Sequence, residues 1–342
     1  NDALSLATKI YFERHQWGNT ILPDFLKCLD EAFEKCDKVT PEIVPSEWAN
    51  TFLNTKGANV FEGTWEADEL VITQNVPKFS DGLRQQKLDI LFFNDDFEPH
   101  VETVLTSETA ATVRVKVAKP TKYFVLNYGD HAYGKIILSE FTADFLKGNL
   151  SSLPDSLTRA LVWRGIQGMV KTLKLKSEYF GYVSNNIITE DQSAVTESVL
   201  QTASMLVGAY IPDSKFTEVS ANIFDVLYEQ ILTETRETFK KLFVNSIFSF
   251  IRAPAHVKQA LSWLEAGYLL DKEGKNIKGT QLAPTQKHKI LQKIHSKTIF
   301  TNEEKAKYLD NVLGDDKSDV ANNLRLSCEA LLPSAETKEK VW

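Results

Sequence analysis

Histidine is the side chain best suited to bind a metal or move a proton near neutral pH. The chain contains His15, His100, His131, His256, His288 and His295. An H-E-x-x-H zinc site needs two histidines four residues apart, with the glutamate as general base. No pair has that spacing, and His288 and His295 are roughly 10 Å apart along a helix, too far to share a zinc ion. We therefore expect no metal ligand, catalytic residue or cofactor site within this chain.

Other patterns of chemical interest are equally incomplete. The acid pairs Asp95-Asp96 and Asp315-Asp316 lack the alternating oxygen ligands of a calcium loop, which favours solvated turns. No serine occupies a G-x-S-x-G turn. The segment GDHAYG, residues 129–134, has the wrong glycine spacing for a phosphate loop and no Lys-Ser or Lys-Thr after it. The sequence thus marks neither a nucleophile nor a nucleotide site.

The helix that organises the chain is predicted in residues 153–173, LPDSLTRALVWRGIQGMVKTL. Apolar residues recur there at steps of three and four and cover most of the helix surface, which is typical of a buried helix. Asp155 or Ser156 is placed to cap its first turn. Gly165 and Gly168 are expected to allow close approach of a neighbouring helix. Arg159 and Arg164 interrupt the apolar surface and need either ion-pair partners or a wet cavity.

Length and composition limit the class of protein. A chain of 342 residues is expected to form two or three domains. Its net charge of −7 argues against nucleic acid as a partner, because phosphate binding needs clustered lysine and arginine. No stretch approaches the roughly 20 apolar residues of a membrane span. Three cysteines without a C-x-x-C motif indicate no disulfide framework, so we expect a reducing, cytoplasmic location.

The hydrophobic pattern divides the chain into three parts. Residues 1–57 are predicted to be a short helical segment that ends in a linker from Lys38 to Pro45 and a further helix. Residues 58–138 carry six short alternating runs separated by turn clusters, which predicts a small antiparallel β-sandwich or barrel. Residues 139–342 return to helical spacing, which predicts an α-superhelical, solenoid-like domain. The predicted fold class is multidomain α+β, mostly α.

Several segments carry a resemblance to a known family. The pair LNYGDHAYGKIILSE (residues 126–140) and LPDSLTRALVWRGIQGMVKTL resembles the junction between the small β domain and the helical domain of the aminopeptidase N family. The type resembled is the bacterial and lower-eukaryote alanyl aminopeptidase. Further segments agree in family order: YFERHQWGNTILPDFL, SEWANTFLNTKGANVF, SEYFGYV and LPSAETKEKVW. These are packing motifs and not chemical signatures.

The resemblance implies a function for the chain as the C-terminal region of a zinc aminopeptidase. In the family, the zinc and the general base lie upstream, so this part would cap the active site and shape access for peptides. Residues 1–57 would be the tail of the catalytic domain, which would be the partner of this chain along with peptide substrates. We expect zinc in the parent enzyme and none on this chain, and we expect the helical domain to be truncated at its end.

The same resemblance gives functional alternatives to three polar residues. Arg159 and Arg164 are expected to form ion pairs in the helical core, or else to line a cavity that receives peptide. His131 is expected to be a loop residue at a strand end, or else to contact the peptide cavity or a neighbouring domain. A different class of function also stays open, in which the chain is a non-catalytic helical scaffold that works through protein partners.

Overall fold

A computed structural model describes residues 2–36, 44–117, 121–175 and 178–341. The protein is mixed α/β and 56% helical. The chain divides into two compact units, Asn1–Ser139 and Glu140–Trp342. Most of the predicted linker from Lys38 to Pro45 lies outside the described residues. No helix in the described ranges combines the length and hydropathy needed to cross a membrane.

The first unit begins with three helices, α1 (Asp2–His15), α2 (Leu22–Glu34) and α3 (Pro45–Leu53). The first two pack through a small core of Ala7, Leu29 and Ala32, with Phe25 and Phe33 against it. The spacing of Phe25, Leu29 and Phe33 at steps of four places them on one face of α2, as predicted. Small alanines at the centre of this contact let the two helices lie close together.

Among its described residues, the first unit continues with seven strands: β1 (Asn59–Glu66), β2 (Glu69–Asn75), β3 (Lys87–Phe93), β4 (His100–Leu105), β5 (Thr112–Lys116), β6 (Tyr123–Leu126) and β7 (Gly134–Ile137). They form a four-stranded sheet in the order β5-β2-β1-β7 and a three-stranded sheet in the order β4-β3-β6. All pairs are antiparallel except β1 with β7, which is parallel. The expectation of purely antiparallel pairing is therefore wrong for that pair.

Aromatic contacts connect the two sheets. The ring of Trp65 on β1 lies 6.1 Å from that of Phe92 on β3 and 5.9 Å from that of Phe124 on β6. Gly63 is necessary at this contact, because a Cβ atom there would lie 2.5 Å from the Phe124 ring. The arrangement as a sandwich stays a prediction.

The second unit is mainly helical, with eleven α-helices in the described residues: α4 (Glu140–Leu146), α5 (Ser156–Lys171), α6 (Glu178–Asn186), α7 (Ser193–Tyr210), α8 (Asp213–Thr233), α9 (Glu237–Ile247), α10 (Pro254–Ala266), α11 (Pro284–His295), α12 (Asn302–Leu313), α13 (Asp319–Ala330) and α14 (Ala335–Val341). A hairpin of β8 (Tyr268–Leu270) and β9 (Asn276–Gln281) interrupts them. The prediction of unbroken helical structure is therefore wrong at this hairpin. The solenoid-like arrangement stays a prediction.

The predicted central helix corresponds to α5. Asp155 caps it by accepting a hydrogen bond from the backbone N–H of Thr158 at 2.8 Å. Nine of its residues are buried, in agreement with the apolar surface that the sequence predicts. The expectation for Gly168 is wrong, because no atom lies within 4 Å of the position that its Cβ would occupy. Space at that position is open, so close packing does not require the glycine.

Candidate functional site

Arg159 is held in a buried ion pair at the start of α5. Its guanidinium donates to Glu190, with Nε 3.0 Å from Oε2 and Nη2 2.9 Å from Oε1, and Nη2 also donates to Asp191. Both Arg159 and Glu190 are more than nine-tenths buried. The hydrogen bonds that Arg159 donates to Glu190 raise the pKa of Arg159, against the opposing effect of burial. The structure thus supplies the ion pair that the sequence leads us to expect.

The glutamate of this pair has a second structural role. Its Oε1 atom accepts from the backbone N–H groups of Asp191 and Gln192, at 3.1 and 3.0 Å. Gln192 is the N-cap of α7, so Glu190 connects the first turn of α5 to the start of α7. A guanidinium with this geometry has little capacity left to contact a ligand.

Arg164 lies in different surroundings, although it is only five residues further along α5. Its side chain is exposed and lines a groove of about 300 Å³ between α5 and α7. The lining residues combine apolar and polar side chains: Ala160, Trp163, Arg164, Gln167, Ala194, Val195, Ser198 and Val199. Gln167 closes one side by donating from Nε2 to the Thr202 hydroxyl at 2.8 Å. A cation above a partly apolar floor could bind an extended peptide through its carbonyl or carboxylate oxygens.

His131 belongs to the first unit and lies in the loop between β6 and β7. Its side chain is about half exposed, and its Nε2 atom is 3.5 Å from Oδ2 of Asp89. Asn127 holds this loop, since its Oδ1 accepts from the Ala132 N–H at 2.7 Å and its Nδ2 donates to the Ala132 carbonyl. The loop is therefore ordered, and the histidine is presented at a strand end as predicted.

Asp89, the partner of His131, is a buried carboxylate with several donors. Burial by itself would raise the pKa of Asp89, but hydrogen bonds from Thr103 and Lys87 outweigh it and hold the pKa below its usual value. The Thr103 hydroxyl is 2.6 Å and the Lys87 ammonium 2.9 Å from the carboxylate. Asp89 is therefore ionised near neutral pH and supports the loop around His131.

A second groove of about 490 Å³ was not predicted from the sequence. It lies between α6 and α8, and its polar lining includes Ser184, Lys215, Glu218, Asn222 and Asp225. Asp225 also accepts from Nε2 of His256 at 3.1 Å. The His256 ring stacks on that of Phe224, with the ring centroids 3.9 Å apart. The partners come from helices distant in sequence, so no short motif signals this arrangement.

His256 is poorly placed for acid–base catalysis. Burial lowers the pKa of His256, and the nearby Asp225 carboxylate only partly opposes that effect. Its Nδ1 atom is buried and has no hydrogen-bond partner among the described residues. Because Nε2 contacts Asp225 and Nδ1 is buried, neither ring nitrogen is presented to a substrate.

The described residues bring no three histidine, cysteine, aspartate or glutamate side chains together as metal ligands. A tetrahedral zinc site needs at least three such protein ligands. The donor set present in the described ranges therefore does not fit a zinc ion, and we derive no chemical step through one.

Comparison with known proteins gives a distant similarity. The chain is 27% identical over 229 residues to aminopeptidase N of Streptomyces lividans. The match covers 61% of this chain and 26% of that relative, so the match spans about a quarter of the relative's length. No protein-family model matches the chain. The similarity identifies a peptidase-related region.

Proposed function

We propose that the chain is the C-terminal part of a zinc aminopeptidase, which removes N-terminal residues from peptides. The observation that carries this proposal is the similarity to aminopeptidase N. The order of the elements supports it, since a helical segment precedes a β region, and helices follow. The zinc ligands and the general base would then lie outside this chain, because its sequence contains no H-E-x-x-H motif.

In this proposal, the helical unit caps the active site and controls which peptides reach it. The groove beside Arg164 is the feature that suits this role, because it offers a cation, an amide and an apolar floor along one helix pair. Arg159 supports that surface indirectly, since its ion pair with Glu190 fixes the start of α7. Both arginines therefore contribute shape, and neither contributes bond cleavage.

The proposed partner is the catalytic domain of the same polypeptide. Apolar side chains on and after α1 are well exposed within the first unit: Leu4, Phe12, Trp17, Ile21 and Leu22. We name these five residues the N-terminal apolar patch. Exposed apolar groups this close together in the sequence are typical of a surface that another domain covers. With three free cysteines, a reducing location such as the cytoplasm is part of the same proposal.

The test compares two purified proteins. We expect this chain alone to bind no zinc tightly and not to cleave an alanyl anilide. The polypeptide encoded by the complete reading frame is expected to do both. Stoichiometric zinc on this chain alone, measured by elemental analysis, would overturn the proposal that the zinc site lies outside this chain.

The second candidate function is a non-catalytic helical scaffold derived from the same family. It rests on the absence of an H-E-x-x-H motif from the sequence, which a non-catalytic relative would share with the C-terminal part of the enzyme. The two candidates differ in the residues encoded upstream of Asn1. An H-E-x-x-H motif with a later glutamate supports the enzyme, and a methionine immediately upstream supports the scaffold.

A further inference from the structure

Four basic side chains gather beside one face of α11. Lys289, Lys293 and Lys297 follow one another at steps of four, which places them on the same side of the helix and its end. Arg252 follows the short 3-10 helix Phe248–Phe250, which packs against α11. Burial lowers the pKa values of Lys293 and Lys297, and the charge of Arg252 lowers them further. We name Arg252, Lys289, Lys293 and Lys297 the basic cluster.

Within the part of the chain that the structure describes, no ion pair or hydrogen bond joins any of these four side chains to a carboxylate. Arg252 instead lies 5.0 Å above the Phe216 ring, and its Nε atom is buried without a hydrogen-bond partner among the described residues. Burying a cation without a counter-ion costs free energy, so the basic cluster favours the binding of an anion.

The sequence around α11 shows the same imbalance. Residues 272–297 contain seven lysines and one glutamate, although the whole chain has a net charge of −7. Such a concentration of one sign raises the local concentration of anions. Burial, together with Arg252, Lys297 and Lys289, lowers the pKa of Lys293 to about 7. A nearby anion would reverse this shift, because opposite charge favours the protonated amine.

The dipole of α11 does not explain the cluster. Cations in the last turn of a helix are stabilised by its free carbonyl groups, which accounts for the position of Lys293. It does not account for Arg252, which belongs to a different segment and still lacks a partner at Nε.

We propose that the basic cluster binds a compact oxyanion with two negative charges, such as a phosphate or sulfate group. Guanidinium and ammonium donors are the usual ligands of such groups. A dianion compensates the cluster better than a single carboxylate would, because the cluster contains more than one cation. This site is separate from the peptidase proposal and does not depend on it.

Sulfate is the appropriate probe, since it keeps two negative charges over the whole working range of pH. Calorimetric titration at constant ionic strength is expected to show one site. The affinity should be roughly tenfold higher at pH 6 than at pH 8.5, because Lys293 gains its proton as the pH falls through about 7. Acetate at the same ionic strength is the monoanion control, and equal binding of acetate would overturn the assignment of a dianion.

Two variants test the residues. R252Q and K293M should each weaken sulfate binding by about tenfold or more, since each removes a charge-assisted donor. The matched control is K287Q, which removes one charge from the same helix outside the cluster and should weaken binding less than twofold. Equal losses in K287Q and K293M would show diffuse attraction and contradict a defined site.

The K293M variant also separates the effect of this lysine from that of the histidines on α11. His288 and His295 lie on the same helix. The Nδ1 atom of His295 is 2.8 Å from the Leu291 carbonyl oxygen, and burial together with Lys305 lowers the pKa of His295. If Lys293 causes the pH dependence, K293M abolishes it, while a histidine origin leaves it in place and contradicts the proposal. Without sulfate, K293M should unfold at the same or a higher temperature, because it removes an unpaired charge.

Discussion

Arg159 and Arg164 show how far two residues of one type can differ on one helix. Helical geometry places them about 140° apart around α5, so they cannot share surroundings. Arg159 is buried with Glu190, whereas Arg164 is exposed beside a groove. A sequence can indicate that such residues need partners, but Glu190 is 31 positions away, so the partner could not be identified.

Replacing Arg159 by methionine is expected to reduce the free energy of unfolding by about 3–5 kcal/mol. The change leaves the Glu190 carboxylate buried without its main partner, which is the costly way to break a buried ion pair. Urea unfolding followed by circular dichroism measures the loss. The control is Arg164→Met, which should cost less than about 1 kcal/mol because its side chain is exposed. Equal costs for both variants would contradict a special role for the Arg159 pair.

Arg84 is a structural residue that sequence reasoning could not find. It is almost completely buried and donates to the Thr55 hydroxyl at 2.8 Å, the Lys56 carbonyl at 3.2 Å and the Asn59 amide oxygen at 3.3 Å. Thr55 and Lys56 follow α3, and Asn59 is the first residue of β1. Arg84 therefore connects the end of the helical segment to the sheet through hydrogen bonds. These acceptors and the Thr51 carbonyl, 3.3 Å from Nε, are neutral and 25 to 33 positions distant, so the sequence shows no charge pattern that would identify them.

At the scale of elements, caps and turns were predictable because they depend on neighbouring residues. Thr301 and Glu304 have the T-x-x-E spacing of a capping box and form one, with the Thr301 N–H 2.7 Å from the glutamate and the Glu304 N–H 3.2 Å from the hydroxyl. The same helix ends at Leu313 with Gly314 as its cap, the position that glycine favours. Both features are local, so tertiary structure does not change them.

The missed elements depend on distant contacts. Strand β1 was not predicted because its sequence, NVFEGTWE, combines a glycine with a weak alternation, yet it is an inner strand of its sheet. Its Gly63 is required by a ring from the other sheet, which no local pattern reveals. The β8–β9 hairpin was missed because β8 has only three residues. Short strands carry too little periodicity to distinguish them from a helix end.

Gly63 and Gly168 give a matched pair of predictions. Gly63→Ala should destabilise the protein by about 1–3 kcal/mol, because its Cβ would lie 2.5 Å from the Phe124 ring. Gly168→Ala should stabilise it by about 0.5–1 kcal/mol, because the helix gains alanine and no atom opposes the added methyl group. Thermal and urea unfolding test both. A Gly63→Ala variant with the same free energy of unfolding as the unchanged protein would contradict the close contact between the sheets.

At the scale of the whole molecule, the N-terminal apolar patch provides a test of the proposed partner. Trp17 is fully exposed and has a left-handed backbone, with φ of 66°, which is unfavourable for a bulky residue. Trp17→Asn should leave this chain equally stable or slightly more stable, because asparagine tolerates that conformation. In the complete polypeptide, the same change should lower the unfolding temperature, since the lost side chain would be buried against the catalytic domain.

The control for this experiment is Phe79→Asn, which removes another exposed aromatic side chain outside the patch. It should have the same small effect in both proteins. If Trp17→Asn also affects both proteins equally, the N-terminal apolar patch is not a surface that the catalytic domain covers.

The strongest test is the zinc content of the polypeptide encoded by the complete reading frame, measured together with its hydrolysis of an alanyl anilide. We expect one tightly bound zinc ion per polypeptide, and we expect a chelator to abolish the hydrolysis. A metal-free, inactive polypeptide would contradict the assignment of this chain to a zinc aminopeptidase and would favour the scaffold.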